Sequence, residues 1–229
     1  MSDGRLCMLT VSDFIGTMPS GITPRSFCEG VTAAVRNVYV SRGKDMERLA
    51  ANPTERMAAS TAIYSRQRNE VWMIGDCQCI VDGIFYDNPK PYEQHVASIR
   101  AAFIRKALAN GARVEDFMES DAGRAAAIGE LIRACGDQNK TFAVIDGFDI
   151  PFEHVRVIKV GRLGCSQSHE IVLASDGYPF LFPTLEESEK ALARQLAADP
   201  LCINTFIATK GMMKGRKSFD DRAYVRFTT

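Results

Sequence analysis

The order of its predicted elements gives this chain a layered α+β fold built on antiparallel sheets. Two observations carry that reading. Strands and helices come in blocks rather than as regular strand–helix–strand units, which disfavours a doubly wound parallel sheet. The composition is also that of an ordinary globular chain: of 229 residues, 46% are hydrophobic and 24% charged. Disordered, collagen-like and coiled-coil classes are thereby excluded. No internal repeat, low-complexity tract or charge block divides the sequence, so residues 1–229 read as a single domain.

Arg5 to Ser12 (RLCMLTVS) is short, apolar and followed by a polar turn, and predicts a buried strand. Thr23-Pro24 predicts a helix start, with threonine as N-cap and proline at the first helical position. Phe27, Val31, Ala34, Val35 and Val38 continue it at helical spacing to about Ser41. Met57–Ser65 and Glu70–Cys79 flank the polar loop Arg66-Gln67-Arg68-Asn69 and predict a hairpin, with a bend at Gly75-Asp76. Pro91 opens a second helix with Tyr92, Val96, Ile99, Phe103 and Ala107 on one face and Gly111 as terminator. The Ala-rich stretch Glu115–Cys135 predicts one or two further helices. Thr141–Ile145 and Val155–Val160 read as strands, and Glu170–Ser175 is the clearest apolar strand of the chain. Thr184-Leu185-Glu186-Glu187 is a capping box that opens a helix to about Ala198, and Ala223–Phe227 closes the chain as a strand.

Charge and cysteine content narrow the function. Lys plus Arg and Asp plus Glu both number 28, so no global field favours nucleic acid or an anionic membrane surface. No apolar run approaches the ~20 residues of a membrane span, and Met1–Thr10 lacks the apolar core of a signal peptide. Seven scattered cysteines without a CxxC pair predict free thiols in a reducing cytoplasm.

Three aspartates stand at the edges of predicted strands: Asp13 after the first, Asp176 after EIVLAS, and Asp221 before the last. Aspartate is common in turns for its own sake. Three carboxylates brought together, however, repel one another unless a cation sits between them, and hard ions such as Mg²⁺ or Mn²⁺ take oxygen ligands of this kind. Arg162, in Gly161-Arg162-Leu163-Gly164, is a candidate contact for substrate phosphate, against the plainer reading of a hairpin turn. The basic run Lys210–Lys217 precedes Asp221 and suits steering of an anionic substrate or a solvated loop. Cys77-x-Cys79 reads as buried structural thiol, and His154 as a surface histidine within reach of a general-acid role.

The sequences around these aspartates resemble the PPM-type metal-dependent protein phosphatases, the protein phosphatase 2C-like family. VSDFIG with its following helix is similar to that family's Asp-Gly metal motif. MAASTAIYS and EVWMIGDCQC resemble its Thr-Ala and Gly-Asp-Ser strands, HEIVLASDGYPFL its strand ending in Asp-Gly, and SFDDRAYVRF its closing Asp-Asp-Asn strand. The resemblance implies a four-layer α-β-β-α sandwich: two antiparallel sheets flanked by helices. It implies that Asp13 bridges two Mg²⁺ or Mn²⁺ ions, that the Phe14 carbonyl binds one of them, and that Asp176 and Asp221 complete the shell. Asp76 would assist a further metal, and Asp3 would stand for the acidic residues upstream of the first metal aspartate.

The activity so implied is hydrolysis of a phosphomonoester, foremost phosphoserine or phosphothreonine of a protein, by a metal-bridged water without a protein nucleophile. Three departures keep a second expectation open, a catalytically silent phosphatase-like module with a degenerate metal site. Asp-Gly is here Asp13-Phe14, the final Asn is Arg222, and only twelve residues precede Asp13.

Overall fold

The computed structural model describes residues 1–161 and 168–229. Helices α1 (Asp3–Thr17), α2 (Pro24–Ser41) and α3 (Met46–Ala51) precede four strands, β1 (Thr61–Ser65), β2 (Glu70–Ile74), β3 (Gln78–Val81) and β4 (Ile84–Asp87). Helices α4 (Glu93–Ala109), α5 (Val114–Glu119) and α6 (Ala122–Cys135) follow. Strands β5 (Arg156–Lys159) and β6 (Glu170–Ala174), helix α7 (Leu185–Ala198) and strand β7 (Tyr224–Thr228) complete the chain.

The strands form two antiparallel sheets in the orders β1-β2-β5 and β4-β3-β6-β7. Alternation assigns the faces. Val71 and Met73 of β2 pack with Ile158, Cys79, Val81 and Ile171 in one buried cluster, so these faces of the two sheets meet. Trp72 and Ile74 point the other way and are wholly buried with Phe27, Val31 and Val35 of α2. On the second sheet Ile80, Val172 and Ala174 are buried on the opposite face from Cys79 and Ile171. The result is the two-sheet sandwich flanked by helices that the resemblance implies.

The cap residues act as expected. Thr23 Oγ1 accepts the Ser26 N–H at 3.0 Å, and Thr184 Oγ1 accepts that of Glu187 at 3.2 Å. The first segment differs: Arg5–Ser12 belongs to helix α1 and is not a strand. Ser2 caps that helix through the Arg5 N–H, and Cys7, Val11, Phe14, Ile15 and Met18 form one stripe at helical spacing against α2. Eight residues hold too little of that stripe to reveal its period. Helices α1 and α2 run antiparallel, with Phe14 against Phe27 at one end and Asp3 beside Arg42 at the other.

Two further expectations are corrected. Glu70–Cys79 is not one strand: β2 ends at Ile74, Gly75 turns with φ +83°, and β3 resumes in the other sheet. Thr141–Ile145 forms no strand and contributes only two isolated bridges, a parallel one between Phe142 and Gln138 and an antiparallel one in which Ile145 and Ala59 exchange backbone hydrogen bonds of 3.0 and 3.1 Å.

Candidate metal centre

The crossing between the sheets places a carboxylate where both meet. Asp76 follows Gly75 at this corner and is buried, at 9% exposure. A side chain at Gly75 would run into Ser60, and positive φ adds strain for any residue with a Cβ. Ser60 Oγ donates to Asp76 at 2.5 Å, and Asn88 donates to the Gly75 carbonyl at 2.8 Å, so the corner is fixed from two sides. Asp176 follows the end of β6, and Glu93 stands in the first turn of α4. Asp76, Glu93 and Asp176 each offer a carboxylate oxygen, and these three atoms lie within 4.8 Å of one another.

Lys90 supplies the nearest positive charge. Its ammonium pairs with Asp76 and lies 3.8 Å from Glu93. Burial works against the Asp76 charge, but Lys90 and the Ser60 hydroxyl outweigh it and hold Asp76 below the usual carboxylate range. Glu93 is pushed up, by burial first and by Asp76 next. Loss of water and the charges of Asp76 and Asp220 push Asp176 up to about 7. Its surface remains open, so solvent screens part of this repulsion. One lysine therefore does not neutralise the cluster.

The donor set fits a hard cation. Oxygens bound to one Mg²⁺ at about 2.1 Å stand at most about 4.2 Å apart, so these three need draw together only slightly. The side chains present would hold one ion, through Asp76, Glu93 and Asp176. Lys90 already occupies the inner side of Asp76.

The sequence-predicted residues divide between this corner and other parts of the molecule. Asp76 and Asp176 are in the cluster. Asp13 is not: it is exposed on α1, in the half of that helix that ends by the β1–β2 hairpin. Arg68 of that hairpin donates to the Ile22 carbonyl in the α1–α2 turn at 2.8 Å, so this end of the sheet is opposite Gly75. The Phe14 carbonyl accepts the Met18 N–H at 2.9 Å, and its ring fills the space over Gly30 and against Phe27. Convergence of Asp13 with Asp176 and Asp221, with the Phe14 carbonyl as ligand, is therefore corrected: the helix leaves the Asp13 carboxylate exposed and engages the Phe14 carbonyl in its own hydrogen bonding. Asp3 lies 3.5 Å from Arg42 and is not among the clustered carboxylates.

Asp221 is exposed and donates its N–H to the Asp220 carboxylate at 2.8 Å. Of this pair it is Asp220, paired with Lys210, whose charge acts on Asp176. Gly177 permits the close approach, because a Cβ there would strike the Asp221 carbonyl. Arg162 lies outside the described residues. His154 Nε2 is 3.1 Å from the Lys140 carbonyl. Burial pushes the Cys79 thiol up to about 12 and raises that of Cys77 too, so neither is a ready thiolate ligand.

Sequence reasoning missed Glu93 and Lys90. The only signal was local: Pro89-Lys90-Pro91 directs the chain from β4 into α4 and fixes where the lysine and the first-turn glutamate fall. Comparison of the chain with protein-family models, with curated proteins and with solved structures finds no match.

Proposed function

We propose that this chain is a phosphatase-like sandwich that binds one divalent cation, Mg²⁺ or Mn²⁺, at Asp76, Glu93 and Asp176, and that it serves as a binding or regulatory module rather than a two-ion hydrolase. One observation carries the reading. The carboxylates meet at the sheet corner around a single lysine, while Asp13 and the Phe14 carbonyl lie on α1 at the far end of the sheet. A bound cation would supply positive charge beyond that of Lys90 and an electrostatic anchor for a phosphoryl oxygen. Asp76 would be held in place by Ser60, and Lys90 would keep the carboxylate ionised.

A second reading is the phosphomonoester hydrolase, a phosphoserine or phosphothreonine phosphatase. It is favoured by the placement of Gly75-Asp76, Asp176-Gly177 and Asp220-Asp221 around one region in the order the resemblance implies.

Calorimetric titration of Mn²⁺, together with turnover of p-nitrophenyl phosphate, separates the two. The proposal expects one ion per chain, loss of binding in Asp176→Asn, and no EDTA-sensitive turnover. Two ions with EDTA-sensitive turnover would establish the hydrolase, and no Mn²⁺ binding would sink both.

A further inference from the structure

Both oxygens of the Asp76 carboxylate are engaged. Oδ1 accepts from the Ser60 hydroxyl at 2.5 Å, and Oδ2 pairs with the Lys90 ammonium. A divalent cation at the corner therefore meets Lys90 on the same carboxylate. It also takes Glu93, the second carboxylate near that ammonium. Asp76 is buried, so little water screens the repulsion between the two positive charges. Ser60 is neutral and feels no such repulsion.

Lys90 has room to move. Pro89 and Pro91 restrain the backbone on both sides, but the side chain itself is a flexible stem. It lines a cavity of about 360 Å³ beside the corner, together with Asn88, Thr141, Glu153, His154 and Arg156. Glu153 carries the one carboxylate of that lining among the described residues. It is exposed and has no cationic partner within 4.0 Å among them. The other lining cation, Arg156, is 3.6 Å from Asp87 and covers the Tyr86 ring, so it is already engaged.

We propose that Lys90 is a displaceable counter-ion. Mg²⁺ or Mn²⁺ arriving at the corner drives the ammonium into this cavity, where Glu153 receives it. The inference rests on the cation-binding reading and adds the regulation of that site. The coupling is reciprocal: the cation fills the cavity with Lys90, and a group that occupies the cavity opposes the cation.

Mn²⁺ titration calorimetry on the full chain reads the displacement through variants that leave the three carboxylates in place. Glu153→Gln should bind Mn²⁺ about threefold more weakly, the scale of an exposed ion pair. Its Tm in EDTA should hold, because Glu153 has no partner before the cation arrives. Thr141→Trp fills the cavity from an exposed wall and should also weaken Mn²⁺ about threefold. That substitution is neutral, so no change of field accounts for the loss. Lys90→Gln should bind more tightly than wild type, and in that background Glu153→Gln should have no further effect, since no ammonium remains to be received. Wild-type affinity in Glu153→Gln or in Thr141→Trp overturns the displacement while the cation reading stands. So does a Glu153→Gln loss that persists in the Lys90→Gln background, which reports only the field of the carboxylate. Binding by Lys90→Gln but not by wild type shows an ammonium that does not yield, and overturns the displacement as well. No binding by either protein overturns the cation reading together with the displacement.

Discussion

Lys90 and Asp176 decide what the carboxylate corner can do. Lys90 stands where a cation would be useful, so Lys90→Gln leaves the buried Asp76 charge uncompensated and should cost about 3 kcal/mol in EDTA. Mn²⁺ should restore that stability and bind more tightly than to wild type, as chemical denaturation with and without the ion will read. If the variant is as stable as wild type in EDTA, Lys90 is not the resident counter-ion. The raised pKa of Asp176 makes a separate pH prediction. Between about pH 4, where an unfolded aspartate titrates, and about 7, the folded chain holds a proton that the unfolded chain has lost. Cation-free stability should therefore fall as pH rises through that window. Asp176→Asn should flatten the slope in a series of Tm measurements in EDTA. At this scale the sequence marked Asp76 and Asp176 through their Gly partners. It hid Glu93 and Lys90, because their proximity depends on where α4 begins relative to the corner, a relation no local pattern encodes.

Elements with chemical punctuation were legible, and those without it were not. Thr23-Pro24 and the Thr184 capping box name their helices by side-chain chemistry, and Thr23→Ala should cost about 1 kcal/mol by urea denaturation. The apolar run RLCMLTVS suits a strand and a helix equally, and its cap, Ser2, stands outside the run; that cap and packing on α2 select the helix. The same packing makes Phe14 structural. Phe14→Ala should cost about 3 kcal/mol, reduced in so far as the ring is half-buried, and leave Mn²⁺ stoichiometry unchanged. A gain of an ion in that variant would return α1 to the metal centre. Thr141–Ile145 failed as a strand for a related reason: Phe142–Ile145 is buried and apolar, but its two bridging partners, Gln138 and Ala59, lie outside any strand.

On the scale of the whole molecule, the layered α+β fold with antiparallel sheets followed from element order and its two-sheet form from the resemblance, whereas the exchange between sheets at residues 75–77 followed from neither. Alternation of Val71, Trp72, Met73 and Ile74 suits one long strand as well as a strand that stops. What stops it is Gly75, so Gly75→Ala tests the corner. It brings a Cβ onto Ser60 at positive φ and should destabilise the chain by at least about 1 kcal/mol. It should also weaken Mn²⁺ binding, because Asp76 is the next residue.

The corner also sets an order of events during synthesis. The β1–β2 hairpin can close as soon as it emerges, but β3 must wait for β6, since Gln78 pairs with Ala174. About a hundred residues separate them, which a ribosome delivering about 5–20 residues per second takes about 5–20 s to supply. Throughout that interval Cys79, Ile80 and Val81 are an apolar strand with β4 alone as partner. Such an edge invites pairing with other nascent chains. Production of this protein should therefore be limited by chaperone supply and translation rate more than by the stability of the finished fold.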